Sequence, residues 1–193
     1  MAEPAPAQVR LSSERYLRLV DEGVLKATDR VELLEGVVVA MSPISPSHAV
    51  ATEKTAAALR SAVGSRAAVR VQQPLHLGSS SVPEPDVAVV LGTHDDYGGR
   101  HPASALLVIE VADSTLVQDR ITKAAIYATA GIPEYWIVNL GDDRVETYRF
   151  PGSTAGQYRE CLVPRGGRIE IGAFAGMTIE SSDLLPGSTR SAR

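Results

Sequence analysis

Three stretches of the chain are apolar almost without interruption: DVAVVL at 86–91, ALLVIEV at 105–111 and EYWIVNL at 134–140. Short apolar runs bounded by Gly, Pro and Ser read as strands buried on both faces. Between the second and third lies TLVQDRITKAAIYATAG, whose spacing predicts a helix over 116–130. Thr115 and Gln118 fit a capping box at its start, Gly131 a stop, and Pro133 prevents its continuation. A strand, helix and strand in this order make a right-handed parallel crossover. The first two strands are joined by GTHDDYGGRHPAS, a polar, Gly-rich stretch expected to be a mobile surface loop. Consecutive strands joined this way pair antiparallel by default.

The flanking pattern is more mixed. Ser12 is a suitable N-cap for a helix carrying Tyr16, Leu17, Leu19 and Val20, with Leu11 and Tyr16 at staple positions and Gly23 as its stop. VELLEGVVVAM predicts strands at 31–34 and 37–41 about a tight Glu35-Gly36 turn, with Glu32 and Leu34 on one side. Ser45-Pro46 opens a second helix, running to about Val63 and ending at Gly64, Ala-rich enough to lie close against a sheet. Alternation through Val69, Val71, Gln73, Leu75 and Leu77 predicts a half-buried strand that Pro74 places near an edge. Short antiparallel strands follow at 144–150, 157–163 and 168–171. Residues 1–10 and 188–193 read as disordered tails, leaving one domain over 11–187. The order of elements predicts an α/β fold, a mixed central sheet flanked by helices.

Composition narrows the function. The chain has 193 residues, 44% hydrophobic and 22% charged, ordinary for a soluble globular domain. No apolar run reaches the roughly 20 residues that span a bilayer, and MAEPAPAQVR lacks the basic-then-apolar pattern of a signal peptide. The single cysteine, Cys161, excludes an intrachain disulfide and a Cys-rich zinc site, and is expected to be a buried structural thiol. A cytoplasmic protein is expected. The net charge of −4 argues against tight nonspecific binding to nucleic acid, although local arginines can still bind phosphate.

The chemistry-bearing residues cluster in the central stretch. With antiparallel pairing, Asp86 at the start of one strand lies beside Glu110 near the end of the next. Asp86, Ala88 and Val90 share a face, as do Leu106, Val108 and Glu110. Two adjoining carboxylates repel unless a proton or cation intervenes, and oxygen ligands with open water positions suit magnesium or manganese. Asp119, Lys123 and Tyr127 recur every four residues on the following helix, so Lys123 can reach the same sheet end. Plainer readings stand beside these. Strand-end acids are often only solvated. Asp119 with Lys123 has the spacing of a helical ion pair worth about 0.3–0.5 kcal/mol. Glu32 is either a third acid of the site or a partner of Arg30 or Arg70. His48, His76, His94 and His101 lack zinc-site spacing and read as solvated or loop histidines. No phosphate-binding glycine loop and no nucleophile elbow occurs. Tyr135 and Trp136 read as core.

The run PEPDVAVV…LLVIEVADSTLVQDRITKAAIYATAGIPEYWIVNL resembles the Uma2 family of small bacterial endonuclease-like proteins, and RVELLEGVVVAMSPISPSH resembles that family's opening. The resemblance spans roughly residues 10–180. It implies a restriction-endonuclease-like core of the PD-(D/E)XK superfamily, with Asp86 and Glu110 as the two acids. It also implies a magnesium or manganese ion held by them and by the Val111 backbone carbonyl, with Glu32 assisting, Gln73, Asp119 and Tyr127 in support, and DNA as the nucleic-acid partner. The superfamily's usual lysine would fall at Ala112, so the resemblance moves that role to Lys123. A homodimer is compatible with the late apolar strands. The rival reading is a non-catalytic binding or assembly module on the same fold.

Overall fold

The computed structural model describes residues 10–152, 156–164 and 166–187. The tails expected at 1–9 and 188–193 lie outside the described residues. Arg10 lies inside them, and its Nη1 donates to the Glu35 carbonyl at 2.5 Å.

Helix α1 (Ser13–Asp21) is capped by the Ser12 side chain, which accepts from the Arg15 N–H. Strands β1 (Val31–Leu34) and β2 (Val37–Ala40) form a hairpin. Its two turn residues, Glu35 and Gly36, both have positive φ, the geometry that matches the twist of the flanking strands. Helix α2 (Pro46–Val63) follows, capped by Ser45, and then β3 (Ala68–Val71), β4 (Val87–Val90) and β5 (Leu107–Ala112). A continuous helical segment comes next: α3 (Leu116–Gln118), a π-helical turn over Asp119–Lys123, and α4 (Ala124–Thr129). The chain continues through β6 (Glu134–Asn139), β7 (Arg144–Pro151), β8 (Tyr158–Leu162), β9 (Arg168–Glu170) and β10 (Thr178–Glu180).

Strands β3 to β8 form one sheet in sequential order. Every neighbouring pair is antiparallel except β5–β6, the parallel crossover that the composite helix spans. One face of the sheet packs under α2. Ala51, Ala56, Leu59 and Val63 meet Val87, Val89, Leu107, Ile109 and Trp136, and the small alanines let the helix sit close. The opposite face carries Ala88, Val90, Val108, Tyr135 and Ile137 against Leu34, Ala124, Ile126 and Tyr127. Trp136 is fully buried, and its Nε1 donates to Glu134 Oε1 at 2.8 Å. The expected mixed sheet flanked by helices is therefore present. No helix among the described residues is long and apolar enough to cross a membrane.

Some local expectations change. The strand expected over 69–77 ends at Val71, because Gln72 turns into the left-handed region at φ 47° and Pro74 has no N–H for the ladder. Leu75 and Leu77 are still buried, which explains the alternation. Strand β9 pairs with a further strand, β10, in a separate two-stranded sheet. Cys161 lies exposed on β8, an edge strand among the described residues. The polar connection between β4 and β5 is tied down: Asp96 Oδ2 accepts from the Thr93 N–H and hydroxyl, and Tyr97 OH donates to the Leu91 carbonyl at 2.7 Å.

Candidate active site

The register of β4 and β5 brings the first two acids together. Val87 pairs with Ile109, so Asp86 and Glu110 are the next residues outward, and both point to the face of Ala88 and Val108. Strand β4 has ended there, and the Asp86 side chain takes the place of a ladder partner: Oδ2 accepts the Val111 N–H at 2.8 Å. N–H and C=O of one strand residue share an edge, so the Val111 carbonyl turns toward the same open end.

Two further elements close over this end. The β1 hairpin is pinned by reciprocal backbone bonds between Leu33 and Val82. That pinning carries Glu32 inward, where its Oε2 accepts the Glu84 N–H at 3.1 Å. From the helical side, Lys123 Nζ lies 3.0 Å from Glu110 Oε1 and 3.2 Å from Glu32 Oε1. Tyr127 OH donates to the same Glu110 oxygen at 2.7 Å, and Tyr135 OH to the Asp119 carbonyl at 3.2 Å. The π turn inserts one residue: the Ala124 N–H reaches back five residues to Asp119. Both Asp119 and Lys123 are buried.

Glu32 pairs with Lys123 rather than with Arg30 or Arg70, and the ion pairs of Lys123 go to Glu110 and Glu32 rather than to Asp119. Thr115 does not cap the helix with its side chain as the capping box required; its hydroxyl donates to Asp119 Oδ2 at 2.6 Å. Gln73 is exposed, and its neighbour Gln72 faces the site instead, with Nε2 3.4 Å from Asp86 Oδ1. The left-handed turn at Gln72 makes that exchange.

Two residues of the site are not assigned to it by the sequence: His48 reads as a solvated or loop histidine, and Glu84 is not singled out. His48, in the first turn of α2, places Nε2 2.9 Å from Asp86 Oδ1. The contact is off the line of a hydrogen bond, and the buried nitrogen has no hydrogen-bond partner. The α2 terminus is fixed there because the Ser45 hydroxyl donates to Asp113 Oδ2, just past β5, at 2.7 Å. Glu84 is the second, in an extended segment without periodicity. The signal for His48 was only its place in the first turn behind Ser45-Pro46; nothing in the spacing joined it to Asp86.

These groups line a cavity of about 60 Å³, room for an ion with a few waters but not for a substrate. Five carboxylates border it (Glu32, Glu84, Asp86, Glu110 and Asp119), against Lys123 and Arg30. Burial pushes the Glu110 pKa well up; Lys123 opposes this, and Asp86, Asp119 and Glu32 add to it. Burial likewise raises Glu84. For Lys123, burial alone would favour loss of the proton, but Glu110, Glu32 and Asp119 outweigh it, so the ammonium is held above its ordinary range. Asp119 is raised from 3.8 to about 6, first by burial and then by Asp86 and Glu32, against Lys123 and the Thr115 hydroxyl.

The Asp119 shift has a measurable consequence. A carboxyl with a raised folded-state pKa stabilises the fold fully below its unfolded pKa and loses that contribution as pH rises through the folded value. In metal-free buffer the Asp119 contribution to the melting temperature should therefore fall from pH 4 to pH 6, read as a change over that window in the difference between wild type and Asp119→Asn. A variant curve parallel to wild type would refute the assignment.

The donor set fits a hard cation. Among the described residues no three His, Cys, Asp or Glu side chains form a ready metal-binding group. Of the groups bordering the cavity, Asp86, Glu110 and the Val111 carbonyl lie at the one sheet end where oxygen ligands could converge. Lys123 and Tyr127 both use Oε1 of Glu110, which leaves Oε2 to a cation. Such a set, completed by water, suits magnesium or manganese, and the surplus of carboxylates favours a positive ion.

Comparison with known proteins agrees with this architecture. A family model named Uma2, described as "Putative restriction endonuclease", matches residues 13–183. A crystal structure described as that of a "putative nuclease belonging to DUF820" from Anabaena variabilis has a TM-score of 0.70 and 16% identity, covering 90% of this chain and 97% of that one. At that identity the likeness establishes a shared fold. No curated protein matches the chain.

Proposed function

The chain belongs to the Uma2 family, and from that premise we propose that its acid–lysine cluster is the centre of a divalent-metal-dependent endonuclease that hydrolyses phosphodiester bonds in DNA. Family and fold are those of restriction-endonuclease-like nucleases. The observation that carries the finer reading is the meeting of Asp86, Glu110 and Lys123 at one sheet end, although Ala112 occupies the superfamily's usual lysine position. That meeting supports the catalytic reading over a non-catalytic module, which the net charge of −4 and the displaced lysine favour.

Asp86, Glu110 and the Val111 carbonyl would hold magnesium or manganese. When bound, such a cation acidifies water and draws charge from the phosphodiester. The remaining roles belong to the protein. Lys123 stays protonated between Glu110 and Glu32, so it acts as a donor and not as a base. Its ammonium orients the attacking water and offsets charge growing on phosphorus. Glu32 fixes the position of Nζ. Tyr127 fixes Glu110 and remains a phenol, because burial and Glu110 raise its pKa. Asp119 supports the helix from behind through Thr115 and Tyr135. His48 and Glu84 complete the wall beside Asp86.

Calorimetric titration tests the cation site directly. Wild-type protein should bind one manganese or magnesium ion, and an Asp86→Asn/Glu110→Gln double variant of unchanged fold should bind none. Absence of binding to wild type, or equal binding to the double variant, would remove these residues from the site.

A further inference from the structure

A second cavity, of about 500 Å³, opens at the opposite end of β4 and β5. Its walls are Leu91, just past β4, part of the following loop, and Ala105 and Leu106, just ahead of β5. Asp86 and Glu110 stand at the other ends of these strands, on the order of 15 Å away at about 3.3 Å per residue. The size falls within the range of small-molecule sites.

The chemistry of this cavity is the reverse of the acidic one. His76, Arg100 and His101 line it, and no carboxylate does. Behind its Tyr97 wall lies Arg70 of β3, 7% exposed, its guanidinium carbon 5.4 Å from the centre of the Tyr97 ring. Arg70 Nε is buried without a hydrogen-bond partner, and among the described residues no carboxylate pairs with Arg70. A guanidinium without a carboxylate partner favours an anion nearby. The positive field is registered by His101, whose pKa is lowered by burial and then by Arg70 and His76, with Asp21 opposing. The site is also preformed: Tyr97 is tied to Leu91, and the His76 N–H donates to the Pro102 carbonyl at 2.8 Å. Leu91, Tyr97 and Leu106 add an apolar wall suited to a planar ring.

We propose that this cavity is a phosphomonoester-binding site, taking either a free mononucleotide or the 5′-phosphate end of a nucleic-acid strand. Arg100 and His101 contact the phosphate, the base lies against the apolar wall, and Arg70 acts from behind Tyr97 as a fixed positive charge. The proposal does not depend on the acid cluster being a nuclease centre.

Binding is measured by calorimetry without divalent ions, using AMP, adenosine and a short oligodeoxynucleotide with either a 5′-phosphate or a 5′-hydroxyl. The phosphorylated probes should bind and their unphosphorylated counterparts should not. Tighter binding of AMP assigns the free nucleotide, and tighter binding of the phosphorylated strand assigns the strand end. An Arg100→Ala/His101→Ala variant should bind at least about tenfold more weakly, as expected for lost charge-assisted hydrogen bonds. Arg70→Met should weaken binding several-fold while the melting temperature stays near that of wild type, because the substitution removes a charge that has no carboxylate partner among the described residues and keeps an apolar side chain against Tyr97. Weaker binding without a lower melting temperature separates a site residue from a structural one. The Asp86→Asn/Glu110→Gln protein should bind AMP as wild type does, which keeps this result independent of the metal site. Indifference to the phosphate, no binding at all, or wild-type affinity in the Arg100→Ala/His101→Ala protein would overturn the proposal.

Discussion

Asp86→Asn should reduce divalent-dependent phosphodiester cleavage by a factor on the order of 10³ or more, the scale of losing one electrostatic contributor in an active site, in a protein that still folds. The amide keeps an oxygen for the Val111 N–H, so the bond that replaces the missing end of β4 survives. What it loses is the negative charge that would hold the proposed cation. Asp86→Ala is the instructive contrast. It leaves the buried Val111 N–H without a partner, at a cost of about 1–3 kcal/mol, and loses cleavage as well. Initial rates on plasmid and on single-stranded DNA with magnesium or manganese, beside a thermal melt followed by circular dichroism, separate the two effects. Undiminished cleavage by pure Asp86→Asn protein would end the case for Asp86 as a metal ligand.

Lys123→Met should be the most destabilising single change in the site and should also abolish cleavage. Removing one partner of a buried ion pair typically costs about 3–5 kcal/mol, because the other charge stays behind unpaired. Here Glu110 stays behind, already raised by burial and now without its main opposing cation. Its folded-state pKa rises further above the unfolded value. The variant is therefore most stable at acid pH and loses stability as pH rises toward neutrality, more steeply than wild type. Manganese should recover part of the lost melting temperature by supplying positive charge to the same acids. Lys123→Arg keeps a charge but forces a larger planar group into the space between Glu110 and Glu32, so it should recover part of the stability and little of the activity. A Lys123→Met protein with the wild-type melting curve at every pH would show that Lys123 does not balance the cluster.

The pairing of Asp86 with Glu110 was legible because two unbroken apolar strands joined by one loop can pair in only a few ways, and alternation fixes which side chains share a face. The crossover to β6 was legible from the helix stop at Gly131 and Pro133. Less legible was everything that depends on a change of backbone phase. The left-handed Gln72 ends β3 and exchanges Gln72 for Gln73 at the site, yet a glutamine gives no warning of positive φ. The four-residue spacing of Asp119, Lys123 and Tyr127 assumed a uniform α-helix, and the π turn between them carries no residue signature. His48 was hidden for a different reason. Its helix packs on the other face of the sheet, and only the end-on placement of α2 by Ser45 and Asp113 brings it to Asp86. Glu32 and Lys123 were candidates from spacing, which favoured plainer partners for both; the family resemblance raised them to site residues.

The π turn also makes the chain sensitive to length at one point. It stores a single residue more than an α-helix needs, so deleting one residue within Asp119–Lys123 would not break the helix but would regularise it. Tyr127 and Ile126 are buried in the core and would stay where they are. The turns on either side would keep their orientation, because the bulge absorbs the extra residue locally. Only side chains within the bulge, Asp119 to Lys123, would change place while the fold kept its hydrophobic pattern. Among sequences aligned by their apolar positions, a one-residue gap here would mark a helix of ordinary pitch in which the bulge side chains are arranged differently.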